Sequence, residues 1–184
     1  MLSVEGYVIV SANGMLADSA GEMPETLKFP EDQKFFESAL DKSDLIVHGR
    51  RSHEKQLRSA ARVRIVLTRT IAALARDTEL PRSTLWNPDG APFDEACDYA
   101  GVRFGKVAVI GGPVVYALFL NRYDTFWLSQ AHGITVTDGV GVFPGVPAST
   151  PQTILSRHGL QPSHVRVLSA TNNLDLTAWR RRSG

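Results

Sequence analysis

A single carboxylate stands out first, in the stretch Phe29-Pro30-Glu31-Asp32. Proline is well suited to the first position of a helix, which places Asp32 near the third. A carboxylate there favours the helix dipole and can cap free amides, and that is one reading of it. The other comes from Phe29, Phe35 and Phe36, which surround Asp32 with apolar surface. A carboxyl desolvated in this way holds its proton longer and can serve as a proton donor or an anchor.

Three further stretches could meet a phosphate. In Val47-His48-Gly49-Arg50-Arg51-Ser52-His53-Glu54 a glycine permits a tight turn. Two arginines and a serine then fall in the first turn of an expected helix, Arg50–Leu57. Free amides, a positive dipole end and guanidinium forks suit a phosphate, although an exposed helix start would use the same residues. Val66-Leu67-Thr68-Arg69 puts an arginine just past the end of an apolar run. Val107–Ile110 ends in Gly111-Gly112, followed by Pro113, Val114, Val115 and Tyr116. Two glycines let backbone approach a ligand closely, and they also suit a plain tight turn. This last stretch is not the three-glycine dinucleotide fingerprint of the Rossmann fold.

Other chemistries find little support. Twenty basic and nineteen acidic side chains leave a net charge of +1, without the basic excess of a nucleic-acid-binding protein. The Arg180-Arg181-Arg182 run reads as a solvated tail. Cys97 is the sole cysteine, so no disulfide or cysteine metal cluster can form within the chain. Its acidic neighbours, Asp94, Glu95 and Asp98, disfavour a thiolate and point to a buried or half-buried helix position. The five histidines show no metal spacing. The first ten residues lack a basic stretch and include Glu5, unlike a secretory signal, and no apolar run is long enough to span a bilayer. A cytoplasmic protein without membrane or nucleic-acid partners is expected.

The elements that must position these residues alternate. Val4–Ser11, Leu45–Val47, Ile65–Leu67, Ser83–Trp86 and Lys106–Ile110 read as strands, with helices expected over Pro30–Leu40, Arg50–Leu57, Phe93–Ala100 and Val114–Leu120. That order predicts right-handed crossovers and a parallel sheet. After Asp124 the pattern changes, and Thr125–Ala131, Thr153–Arg157, Val165–Ser169 and Leu174–Trp179 all read as strands, with a turn at Asn172-Asn173. The expected fold is α/β, a three-layer α-β-α arrangement whose mostly parallel central sheet ends in an antiparallel C-terminal hairpin. One domain is expected over residues 1–184.

Taken in order, Met23-Pro24, Phe29-Pro30-Glu31-Asp32 with Phe36, Ile46 to Glu54, Val66 to Arg69, Val109 to Tyr116 and Phe143-Pro144 resemble the dihydrofolate reductase-like superfamily. That family includes dihydrofolate reductases and the reductase domain of riboflavin biosynthesis. The resemblance implies a dihydrofolate reductase-like fold, NADPH as cofactor, and hydride transfer to a C=N bond of a small-molecule heterocycle such as a pterin. Asp32 then matches the carboxylate that binds and helps protonate the substrate ring. Phe36, Ile9, Ser129 and Arg62 fall on the substrate side. Gly49, Arg50, Arg51, Ser52, Thr68, Arg69, Ile110, Gly111, Gly112, Pro113, Val114 and Tyr116 fall on the cofactor side. Several cations near the adenosine phosphate favour NADPH over NADH. The loop Asn13–Met23 matches the family's mobile lid, with Gly14 and Gly21 as hinges. Both monomers and dimers occur in the superfamily, so a homodimer is open, with the aromatic stretch Tyr123–Trp127 as an edge or interface.

Departures from the family pattern are equally specific. Glu25 stands where dihydrofolate reductases carry a tryptophan after Met-Pro, and Pro113 replaces a third glycine. Leu57-Arg-Ser-Ala-Ala-Arg62 replaces the stretch whose arginine holds the folate glutamate. These leave three readings: a reductase of a pterin-like heterocycle, a riboflavin-pathway reductase of a ribosylamino-pyrimidine, and a nucleotide-binding protein without catalysis.

Overall fold

The computed structural model describes residues 1–52 and 58–182. In chain order they form β1 (Leu2–Ser11), β2 (Met15–Ala17), α1 (Pro30–Asp41), β3 (Leu45–Gly49), β4 (Arg64–Leu67), β5 (Leu74–Arg76), β6 (Ser83–Trp86), α2 (Phe93–Ala100), β7 (Gly105–Val109), α3 (Pro113–Leu118), β8 (Thr125–Ala131), β9 (Val140–Gly141), α4 (Pro151–Arg157), β10 (Leu160–Ser169) and β11 (Leu174–Arg181). Nine strands make one sheet in the order β10-β11-β8-β1-β7-β3-β4-β6-β5, while β2 and β9 pair separately. The six strands from β8 to β6 run parallel; β5 pairs antiparallel with β6 at one edge, and β11 and β10 form the antiparallel C-terminal portion. The expected fold class holds.

Side chains alternate across this sheet. One face of β1 sends Tyr7 toward α1, where Phe35, Phe36, Ala39 and Leu40 pack with Ile46, Ala108 and Ile110. The opposite face carries the larger core, drawing in Phe93 and Cys97 of α2, Val115 and Tyr116 of α3 and Leu155 of α4. Phe93 and Phe119 meet edge to face with ring centroids 4.8 Å apart, and Tyr123 and Phe126 at 5.0 Å. Cutting a ring of this kind to alanine typically costs about 3–5 kcal/mol. Cys97 is buried, and burial, with Asp94 and Asp98 nearby, pushes its thiol up to about 12.

Four expectations need correction. Residues 151–157 form a helix, because Thr150 accepts a capping bond from the Thr153 amide at 3.1 Å and Pro151 follows it. The β-branched pair Thr153-Ile154 suits the expected strand at Thr153–Arg157, but that start signal outweighs it. Tyr123 and Phe126 are wholly buried, and β8 lies between β1 and β11, so this stretch is not a sheet edge. The arginine run is not all tail. Arg180 and Arg181 extend β11, and the Arg181 guanidinium donates to the carbonyls of Leu120, Tyr123 and His158 at 2.8–2.9 Å. Finally, β2, β5 and β9 had no counterpart in the expected order. The helix expected over Arg50–Leu57 falls mostly outside the described residues; its start is a turn in which the Ser52 amide donates to Gly49 at 3.0 Å.

Candidate functional site

A cavity of about 750 Å³ opens between α1, the loop after β2 and the carboxyl-end halves of β1, β7 and β8. One wall is built from side chains. Phe29 is extended and Pro30 takes the first helical position, so Asp32 lies in the first turn of α1. Its carboxylate makes no capping bond there. Instead Ser129 Oγ, from the middle of β8, donates to Asp32 Oδ1 at 2.5 Å. Burial pushes the Asp32 carboxyl up to about 6, with the Ser129 donor pulling the other way. The parallel register sets Ile9 beside Ser129 and Tyr7 beside Trp127, and all four line the cavity with Phe35 and Phe36.

Sequence reasoning missed what holds this floor. The Tyr7 hydroxyl donates to Glu5 Oε2 at 2.5 Å, Trp127 Nε1 donates to the same oxygen at 2.8 Å, and Lys106 Nζ lies 2.9 Å from Oε1. Burial works to raise the Glu5 pKa, but these donors outweigh it and hold the carboxyl below its usual range. Both aromatic rings are therefore anchored by their polar atoms to a fixed anion. The period-two run Glu5, Tyr7, Ile9 on one strand was the available signal; its partner Trp127 is far away in sequence.

The opposite end is built from backbone. Gly49 at the end of β3 donates its amide to the Gly111 carbonyl at 2.7 Å, and the Ile110 amide donates to Val47 at 2.9 Å. The Gly111–Gly112 peptide is cis, and Gly111 has φ +108°, a conformation that side-chain-bearing residues rarely adopt. A Cβ on Gly111 would lie 2.9 Å from the Tyr116 ring. Tyr116 is buried; its amide donates to Gly112 and its hydroxyl to the Tyr7 carbonyl at 2.6 Å, which ties this junction to β1. Ile110, Gly112, Tyr116, Arg51 and Ser52 line the cavity.

Other expected residues fall elsewhere. Gly49 and Gly111 support the junction from behind. Thr68 and Arg69 follow β4, which runs beside β3 with Leu67 opposite Gly49, so they continue the same sheet edge beyond the cavity. Thr68 Oγ1 bonds Thr70 Oγ1 at 2.9 Å, and Arg69 lies 3.4 Å from Asp89, both exposed. Arg50 is exposed and outside the cavity lining; half-buried Pro113 and exposed Val114 also lie outside it, Val114 at 52% exposure. Arg62 is also outside it, because its guanidinium bonds Asp41 at 2.8 Å.

The loop over the cavity differs from expectation at one hinge. Met15–Ala17 pairs with Val140–Gly141, and a Cβ at Gly14 would crowd Val146 and Pro151 at about 3 Å. Gly14 is thus held by packing. Gly21, with φ +82° and open space around it, sits in a turn where Asp18 Oδ1 accepts from the amides of Ala20 and Glu22. Gly21, Glu22 and Met23 line the cavity.

No family model matches the chain, and no curated protein matches its sequence. Solved structures do match in fold. A Shewanella sp. PV-4 protein assigned to riboflavin biosynthesis is 17% identical with TM-score 0.68, covering 98% of this chain and 99% of that one. The Thermotoga maritima diaminohydroxyphosphoribosylaminopyrimidine deaminase/5-amino-6-(5-phosphoribosylamino)uracil reductase is 15% identical with TM-score 0.68; 98% of this chain matches 56% of that longer one. Enterococcus faecalis dihydrofolate reductase, complexed with NADP(H) and RAB-propyl, is 19% identical with TM-score 0.66, covering 98% and 97%. The chain has the fold of the dihydrofolate reductase-like superfamily.

Proposed function

We propose that this protein is an NADPH-dependent reductase that delivers hydride to the carbon of a C=N bond in a pterin or similar heterocycle. The observation that carries it is Asp32: a desolvated carboxyl fixed by Ser129 in the same cavity as the Gly111-Gly112 junction. The residues present fit the cofactor. Gly112 leaves a surface that a Cβ would fill against Ser52 Oγ at 3.3 Å, Arg51 offers a cation beside it, and the β3 and β4 ends continue the edge toward Thr68 and Arg69.

When bound, NADPH supplies the hydride from its dihydronicotinamide ring. The protein's part is positioning and a proton. Tyr7, Trp127 and Phe36 would give the heterocycle an apolar bed, and Ile110 and Gly112 would face the cofactor from the other end. Asp32, protonated below about pH 6, gives its proton to the ring nitrogen as the adjacent carbon takes hydride. The C=N bond becomes C–N with a new N–H, and the Asp32 carboxylate then regains a proton from solvent.

The test is loss of NADPH absorbance with dihydrofolate, tail-less dihydropterins and a ribosylamino-pyrimidine. Turnover with any of them, and a larger thermal shift with NADPH than with NADH, is expected. Absence of turnover across the panel, with equal thermal shifts from the two cofactors, would overturn the proposal.

A further inference from the structure

Within α1, Gln33, Glu37 and Asp41 stand four residues apart and share one stripe of the helix. The two ends of that stripe meet different surroundings. Gln33 and Glu37 line the cavity. One turn further, Asp41 receives Arg62 Nη2 at 2.8 Å and Arg58 Nη1 at 3.6 Å. The Arg62 side chain is only 8% exposed, and its hydrogen bond holds the Asp41 carboxyl below the usual range. Among the described residues Glu37 has no ion pair, and Lys28, the other cation on this wall, is paired with Glu25. Arg51 sits at the diglycine end, beside Ser52 and Gly112.

Asp32 and Glu37 are five residues apart, about 7.5 Å along the helix axis. A ring anchored at Asp32 and bearing a substituent directed along α1 therefore brings that substituent to Gln33 and Glu37. It meets an acceptor-rich, anionic surface there, and the two arginines beyond are occupied by Asp41. An anionic tail is repelled in that position; an amino or hydroxyl group finds partners.

We infer that the substrate is a compact heterocycle whose substituent along α1 is neutral or cationic, and that Glu37 is the specificity-determining residue that rejects an anionic tail. This deepens the reductase reading and rests on it. It also separates this chain from a reductase that grips a glutamate-bearing folate.

The test uses the full chain with NADPH and three probes: dihydrofolate, 6-methyl-7,8-dihydropterin and 6-aminomethyl-7,8-dihydropterin. Two readouts are taken, kcat/KM from NADPH oxidation and affinity from quenching of Trp127 fluorescence, with Phe substitutions at the other two tryptophans. The tail-less probes are expected to exceed dihydrofolate by roughly tenfold or more in both, with a gap that narrows as salt is raised. Glu37→Lys is expected to shift the ratio by roughly tenfold toward dihydrofolate, and Glu37→Gln by less. Glu37 is exposed, so both variants should fold, which circular dichroism checks. Equal or better use of dihydrofolate by the native protein, or a ratio unmoved in Glu37→Lys, overturns the inference. NADPH oxidation with none of the probes counts against the reductase reading, while the affinity ratio still decides the inference about Glu37.

Discussion

At the Gly111-Gly112 end of the cavity, main-chain bonds from Gly49 and Ile110 and a glycine at φ +108° set every position, with Tyr116 packed behind. At the α1–β8 end the backbone is ordinary helix and strand, and position comes from side chains: Asp32 on Ser129, Tyr7 and Trp127 on Glu5. A backbone-built end tolerates little added volume. A side-chain-built end can be rewritten residue by residue without disturbing the fold. The difference separates an end fixed by the fold from one open to substitution.

The sharpest break in this comparison is Asp32→Asn. It should lower turnover about 100- to 10,000-fold, the range of general acid catalysis, while the thermal shift produced by NADPH stays. Loss of both would mean the two ends are not separable. Next comes Gly111→Ala, where a methyl must enter a space 2.9 Å from the Tyr116 ring at a strained φ. A stability loss of about 1–3 kcal/mol by chemical denaturation, together with weakened NADPH binding, is expected; a silent substitution would refute the rigid-backbone account.

The third prediction concerns pH. Asp32 titrates near 6 in the folded protein against 3.8 for an ordinary aspartate. Below about pH 4 both states hold the proton and burial is not penalised. As pH rises to 6 the unfolded chain releases its proton first, so stability falls, and above 6 the loss levels at about 2–3 kcal/mol. Asp32→Asn should therefore be more stable than the native protein at pH 8 and not at pH 4, as read from paired urea titrations. Ser129→Ala removes the donor that opposes this shift, and should move the basic limb of the pH–rate profile to higher pH. Smallest is Arg69→Ala: with Asp89 already sharing its charge, NADPH-over-NADH discrimination should drop by only a few fold, measured as a ratio of KM values.

Much of this molecule was legible in the sequence. Buried apolar runs marked the parallel strands, and Phe29-Pro30 marked the start of α1 so well that Asp32 could be placed in its first turn. Gly111-Gly112 showed as a place of close backbone approach that a plain tight turn would also explain, and Tyr116 came only with the resemblance. The unread parts share a cause. β2, β5 and β9 are two or three residues long, too short to show a period, and they exist only through their partners. The Glu5–Trp127 bond joins residues 122 apart and depends on the β1–β8 register. Arg62 looked available because Asp41, twenty-one residues earlier, gives no local sign of facing it. Arg181 looked like tail until β11 carried it to three carbonyls.

The place of β11 has a consequence for biosynthesis. It follows every other strand in chain order, yet it lies inside the sheet, with β8 on one side and β10 on the other. A chain emerging from the ribosome can assemble the parallel strands early, but β8 keeps an unpaired flank until residues 174–181 have appeared. Ser129 sits on that strand, opposite Leu176. The hydroxyl that bonds Asp32 therefore sits on a strand whose own pairing is completed last.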